Sequence, residues 1–246
     1  MAKITLYTDN ILEDATVSVT GDADSGYPES RLYDREISLY WKKTGTGQVN
    51  FTVTHATGEV DFLAIDKHNF SGETLQWQHS TDNFVLDIND AVADFDAGSG
   101  QIVKTLAAPL TNKDWRVTVS GELVTNPQCS EIFMSGGLQL RVRFDENPRA
   151  SDKANVTWQD SIGGIERSTK KGLKRKVRQY AILLDETTSE ITNFRAAMAD
   201  LDDYSKPFYI KDHEGNYWLC RLLAEPEETF LSEGTVLMTI EILEKL

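Results

Sequence analysis

Short β-compatible runs, cut at intervals by turn residues, constrain this chain more than any other feature. Residues 4–7, 16–20, 49–54, 60–65, 74–80, 101–106 and 115–120 are rich in β-branched and aromatic types, and several alternate apolar with polar positions. A period of two sends every second side chain to the same face, so these runs predict half-buried strands. Between them, Gly21-Asp22-Ala23-Asp24-Ser25-Gly26, Thr44-Gly45-Thr46-Gly47, Ser71-Gly72 and Ala97-Gly98-Ser99-Gly100 are clusters that turn the chain. Many short strands with no long helix among them predict an antiparallel sandwich or jelly roll over residues 1–135.

Ser135-Gly136-Gly137 breaks that rhythm and opens a second domain, residues 136–246. Leu138, Leu140, Val142 and Phe144 alternate with Gln139, Arg141 and Arg143, a strand with one apolar face. A polar stretch at 145–155 follows, then a short strand at 156–159 and a break at Gly163-Gly164. The segment 165–184 is expected to hold two paired strand portions. One helix stands out, at 188–202: Ile191, Phe194, Met198 and Leu201 share a face, Thr187, Thr188 and Ser189 offer an N-cap, and Glu190 occupies the first turn. Strands return at 208–211, 217–223 and 235–243, the last with Val236, Met238, Ile240 and Ile242 on one side. The chain therefore reads as mainly β: a jelly-roll sandwich, then a β-sandwich or split barrel with one flanking helix.

A chain of 246 residues is long for a single core, which suits two domains. Its 39 acidic and 25 basic side chains give a net charge of −14, and residues 1–135 hold 20 of the acidic against 9 of the basic ones. That balance opposes direct nucleic-acid binding and attraction to an anionic membrane. No apolar run approaches the roughly 18 residues of a spanning helix, and none follows Lys3 at the amino terminus. The expectation is a chain made in a reducing cytoplasm, neither exported nor inserted into a membrane, with Cys129 and Cys220 as thiols.

Catalytic chemistry has no anchor here. There is no GxSxG elbow, the four histidines (His55, His68, His79, His213) lack HxH or HExxH spacing, and carboxylates are too numerous for a catalytic pair to stand out. The expectation is no enzyme, no cofactor and no metal. Asp22-Ala23-Asp24-Ser25-Gly26 and Asp94-Phe95-Asp96-Ala97-Gly98 begin like calcium loops but lack the remaining ligands, and solvated Asx turns describe them better. Tyr40, Trp41, His68 and Phe70, with Trp77, could stack on a sugar; the competing reading puts the large rings in the core. Most unusual is a basic stripe on an acidic protein: Arg167, Lys170, Lys171, Lys174, Arg175, Lys176 and Arg178. Nucleic-acid binding and a solvated hairpin both compete for it, but a third reading is preferred: a surface that meets the acidic face of another copy.

Residues 27–34 (Tyr-Pro-Glu-Ser-Arg-Leu-Tyr-Asp), Tyr40-Trp41, 60–72, 76–82, Asp114-Trp115-Arg116-Val117 and Glu131-Ile132-Phe133-Met134 occur in an order that resembles the discoidin or galactose-binding-like jelly roll. Its members bind glycans, proteins or lipid through loops at one end, or serve as structural modules. The later Gln179-Tyr180-Ala181-Ile182-Leu183-Leu184, the helix, and Lys206-Pro207-Phe208-Tyr209-Ile210-Lys211-Asp212 resemble the tail-tube and distal-tail family of tailed phages. That likeness implies a hexameric ring, with a long hairpin across subunits to which Lys170–Arg178 would belong. It also implies tube, hub and baseplate proteins as partners and the virion tail as location. Common distal-tail proteins carry the ring domain first, the reverse of the order here. The alternative implied by the jelly roll is a carbohydrate-binding module that contacts a host-surface glycan.

Overall fold

The computed structural model describes residues 3–121, 123, 125–142, 149–160, 166–185, 188–202, 204–232 and 234–245, with the backbone alone at 149, 155–160 and 166–172. Two units form: Asp9–Gly137, and Leu138–Leu246 together with Met1–Thr8. No helix among the described residues is long and apolar enough to cross a membrane.

The Asp9–Gly137 unit is a two-sheet sandwich. One sheet has five antiparallel strands in the order β2 (Thr16–Val19), β4 (Val49–Thr54), β9 (Asp114–Ser120), β6 (Thr74–Ser80), β7 (Asn89–Asp96). Three more, β11 (Glu131–Ser135), β5 (Val60–Asp66) and β8 (Ile102–Leu110), form a second sheet, while β3 (Trp41–Lys42) pairs with β10 (Gln128–Cys129). Alternation decides the inner face: Val49, Phe51 and Val53 of β4 are buried, as are Leu75 and Trp77 of β6 and Trp115, Val117 and Val119 of β9. They share one core with Leu63, Ile65, Ile102, Ile132 and Met134 of the three-stranded sheet. Burying each large side chain contributes about 1.5–3 kcal/mol, and the tilted Trp77–Trp115 pair at 5.4 Å adds ring contact to that.

The ends of this unit are tied together. The Ile11 N–H donates to the Met134 carbonyl at 3.0 Å. Buried Asn10 donates to the Ile132 carbonyl and to Glu131 Oε1, and accepts from the Met134 N–H.

In the other unit, the strands β12 (Leu138–Arg141), β1 (Lys3–Tyr7), β15 (Phe208–Lys211), β16 (Tyr217–Leu222), β18 (Thr235–Glu244) and β14 (Glu166–Asp185) follow one another in a single sheet. A ladder rung between Val142 and Ile182 joins the first to the last and closes a six-stranded barrel. Alternate residues fill it: Ile4 and Leu6, Leu140 and Val142, Tyr180, Ile182 and Leu184, and Val236, Met238, Ile240 and Ile242. Helix α1 (Glu190–Ala199) packs on this core through Ile191, Phe194, Ala197 and Met198, with Leu201 just beyond. It ends where Asp202 and Tyr204 adopt positive φ. Ser189 makes no side-chain cap; the Thr188 hydroxyl accepts the Glu190 N–H instead.

Four expectations differ from the structure. β1 belongs with the second unit, not the first, because it pairs with β12 (Leu6 opposite Leu138) and with β15. The described part of the 165–184 segment is one continuous strand, β14 (Glu166–Asp185), and its partner is β13 (Arg149–Asp160), which takes in most of the stretch read as polar connection. The Asp94 and Asp96 pair read as a turn lies in β7. β17 (Glu227–Ser232), paired with β18, has no counterpart in the sequence reading. The Gly163-Gly164 break lies outside the described residues.

Candidate functional site

The basic stripe maps onto a β-arm. β14 pairs with β18 only from Val177 to Asp185; before that it pairs with β13 alone, from Lys176 opposite Asp152 to Glu166 opposite Asp160. At about 3.3 Å per residue this two-stranded arm extends roughly 35 Å. The side chains of Arg167, Lys170 and Lys171 lie outside the described residues. Lys174, Arg175 and Lys176 are exposed, and Arg178 is half-buried with its guanidinium donating to the Val177 carbonyl. Strand alternation puts Arg175 and Lys176 on opposite faces, and just before them the ladder is irregular, residues 172–174 of β14 standing against residue 154 of β13 in a bulge. Lys176 is tied to Glu244, Nζ to Oε1 at 3.8 Å and its N–H to Oε2 at 3.0 Å. Arg175 instead sits directly opposite Lys153, a like-charge pair. Among the described residues Lys153, Lys174 and Arg175 form no ion pair. Leu173, beside them, is 73% exposed.

The aromatic quartet does not assemble as a surface. Trp41 and Phe70 are fully buried, both against Phe51, at 5.2 and 6.0 Å. His68 stacks on Phe70 at 5.3 Å, and its Nδ1 accepts the Phe70 N–H; burial pushes its pKa down. Trp41 and Phe70 are core, as the competing reading holds for the large rings, and His68 is half-buried beside them. Tyr40 is half-exposed, stacked on Tyr27 at 4.8 Å with Lys42 Nζ 5.6 Å from the Tyr27 ring.

Three of the four aspartates of the calcium-like loops have protein partners: Asp24 meets Lys42 at 3.9 Å, Asp94 accepts from Gln76, and Asp96 accepts the Gly98 N–H in an Asx turn. Both cysteines are buried in different units, where burial pushes each thiol well up.

A buried acidic pair was not visible as such in the sequence. Glu131 faces Asp66 directly across β11 and β5. Burial, then Asp34, raises the Glu131 carboxyl well above its ordinary range, although the Arg35 N–H donates to Oε2 and Asn10 to Oε1. Arg35 itself pairs with Glu13 and lies 5.4 Å over the Phe133 ring. Burial likewise pushes Asp66 up to about 6, against a hydrogen bond from Gln101. Glu131 is fully enclosed, whereas Asp66 is half-buried and reaches Gln101 at the surface.

Residues 81–88 form a second feature that sequence reasoning missed. The Asp82 carboxylate accepts the N–H groups of Val85, Leu86 and Asp87, and the Ser80 hydroxyl accepts those of Asp82 and Phe84. Asn83 and Phe84 have positive φ, and Arg116 lies 4.3 Å over Phe84. The loop so held presents Val85, Leu86 and Ile88 to solvent, Leu86 at 90% exposure. Its run of carboxylates looks like ordinary solvated turn in sequence.

No family model matches the chain, and no curated protein does. Solved structures do. A chitosan-binding module from a Paenibacillus sp. IK-5 chitosanase/glucanase is 16% identical at TM-score 0.45, spanning 52% of this chain and 99% of its own. A family 32 carbohydrate-binding module from C. perfringens, in complex with galactose, is 12% identical at TM-score 0.44, over 54% and 99%. A Ruminococcus gnavus fucosidase in complex with fucose is 14% identical at TM-score 0.47, but the match takes in 28% of that enzyme. All three fall below 20% identity and below a TM-score of 0.5.

Proposed function

We propose that this chain is a non-catalytic architectural subunit whose barrel associates with further copies through the β13–β14 arm, with the sandwich carried as an inserted module. The arm is the observation that carries the reading. A two-stranded ribbon is marginal on its own in water, and open strand edges invite pairing. Lys153, Lys174 and Arg175, which form no ion pair among the described residues, favour on a chain of net charge −14 an acidic protein surface as the thing that covers the arm. In the fuller form that the residue resemblance supports, the subunits close a hexameric ring in the distal tail or baseplate of a phage and link tube to tip. The test is native mass spectrometry with negative-stain imaging of the full chain and of K174E/R175E/K176E. A discrete oligomer that the triple variant loses is expected. A monomeric parent at tens of micromolar, or a variant of unchanged mass, refutes it.

The Tyr27–Tyr40 stack favours a second reading, glycan binding by the sandwich, since paired half-exposed rings beside Lys42 make a small amphipathic platform. A glycan array probed with the full chain and with Tyr40→Ala decides it. Binding lost in the variant supports this reading; no binding by the parent removes it.

A further inference from the structure

We infer that residues 81–88, between β6 and β7, are a pre-formed docking finger for a different protein, one that offers an apolar pocket bordered by lysine or arginine. The tip of the finger is apolar and open to water. Val85 is 71% exposed, Ile88 50% and Leu86 90%, the highest value of any large apolar residue among those described. Three such side chains on one short loop make a patch, unlike the scattered exposure usual on a surface. β6 ends at Ser80 and β7 begins at Asn89, antiparallel neighbours that a turn of about two to five residues would join. The chain uses a longer connection than closing the hairpin requires.

Side-chain acceptors build this loop. Seven consecutive backbone N–H groups, from Thr81 to Asp87, donate to them: Thr81 to Asp87, Asp82 and Phe84 to the Ser80 hydroxyl, Asn83 to Asp114 Oδ2, and Val85, Leu86 and Asp87 to the Asp82 carboxylate. Asn83 and Phe84 hold positive φ, 57° and 61°, a conformation that costs free energy for residues other than glycine. Phe84 is half-buried, with Arg116 4.3 Å from its ring. Four polar side chains and two strained residues are thus committed to holding three aliphatic ones in water. An anchor already fixed in shape loses less conformational entropy when it docks.

Charge selects what fits over the tip. Residues 80–97 hold five aspartates, Asp82, Asp87, Asp90, Asp94 and Asp96, and no lysine or arginine. Arg116 is engaged by the Phe84 ring and by Gln78 Oε1, at 3.0 and 2.7 Å. A nucleic acid or an anionic lipid surface would meet its own sign of charge here, and so would the same finger of a second copy. A pocket with a cationic rim buries the aliphatic tip and sets its charges against the aspartates around it. The surface is distinct from the tyrosine stack: β9 starts beside the finger, Asp114 opposite Ser80, and runs to the far end of the sandwich, where Pro127 accepts from Lys43 close after Tyr40.

The experiment places p-benzoylphenylalanine at Leu86 of the full chain, and separately at exposed Leu39 as a control, in the cells that make the protein. Ultraviolet light should join the first chain, and not the second, to a different protein through a peptide with aliphatic residues next to lysine or arginine. That protein, purified, should bind the full chain. Leu86→Asp should weaken the binding about thirtyfold or more, the scale of an interface hot spot, and added salt should weaken it further. Leu86 lies outside the core, so the variant keeps its fold, which amide exchange on β6 and β9 verifies. Asp82→Ala keeps all three aliphatic side chains but removes the acceptor that fixes them, and should cost about tenfold in affinity. No adduct beyond the control, an adduct with a second copy of this chain, or equal binding of parent and L86D overturns the inference. Binding that holds level as salt rises overturns the cationic rim, and D82A binding as tightly as the parent overturns the pre-formed finger. Arm and finger share no residue, so this inference and the self-assembly reading can each fail alone.

Discussion

Replacing Asp66 by Asn should stabilise the sandwich at neutral pH and leave it unchanged in acid. The folded state holds the Asp66 proton up to about pH 6, against an ordinary value of 3.8, because burial of the carboxyl outweighs the Gln101 hydrogen bond and the nearby Lys67 charge, both of which favour the ionised form. A raised folded pKa means that the native state binds more protons than the unfolded one between those values. Stability is therefore fully present below about pH 4 and falls as pH climbs through 6. The gap is roughly two pH units at about 1.4 kcal/mol each, so the loss by pH 7.5 approaches 3 kcal/mol. Asn keeps the acceptor for Gln101 and cannot ionise, so D66N should exceed the parent by about 2–3 kcal/mol at pH 7.5 and match it near pH 4. Hydrogen exchange in urea, read on β5 and β11 peptides, isolates this unit from the barrel's own transition. Parallel curves for the two proteins across pH 4–7.5 would refute the reasoning.

Trp41→Ala should cost about 3–5 kcal/mol of sandwich stability, as for any large buried ring, and urea unfolding would detect it; full stability would contradict its place against Phe51. Asp82→Ala removes the acceptor for three backbone N–H groups and should accelerate amide exchange at residues 83–87 by tenfold or more with the sheets unaffected. A Cβ on Gly136 would lie 2.6 Å from the Glu59 carbonyl oxygen, so Gly136→Ala should lose about 1–3 kcal/mol through forced backbone movement, measured by denaturant midpoint.

Where side-chain type writes the strand, the sequence is readable: β4 and β6 match the expected 49–54 and 74–80, and the Val236–Ile242 face lines the barrel. β17 was invisible because all of its residues are exposed, and alternation needs a buried face to leave a mark. β7 hid behind its carboxylates, which strands at a sheet edge tolerate. Sequence proximity gathered seven cations into one stripe, yet a strand deals neighbours to opposite faces, and only the pairing of Arg175 with Lys153 reveals which side is frustrated. Tyr40 and Trp41 are adjacent and chemically alike; burial separates them, and no local pattern distinguishes a core ring from a surface one. Membership of β1 could not be read from its own five residues, since its partner Leu138 lies beyond the whole sandwich.

The clasp formed by Asn10 and the Ile11–Met134 bond has a bearing on the order of folding. β1 and β12 are register neighbours separated by the 129 residues of Asp9–Gly137. Joining them across an unstructured loop of that length costs about 4 kcal/mol of chain entropy beyond the fixed closure term. Once the sandwich has formed, its clasped ends reduce the span to a few residues and most of that cost disappears. The inserted domain thus acts as a splint: on a ribosome the first strand waits for its partners, and the barrel closes at a lower entropic cost once its guest has folded.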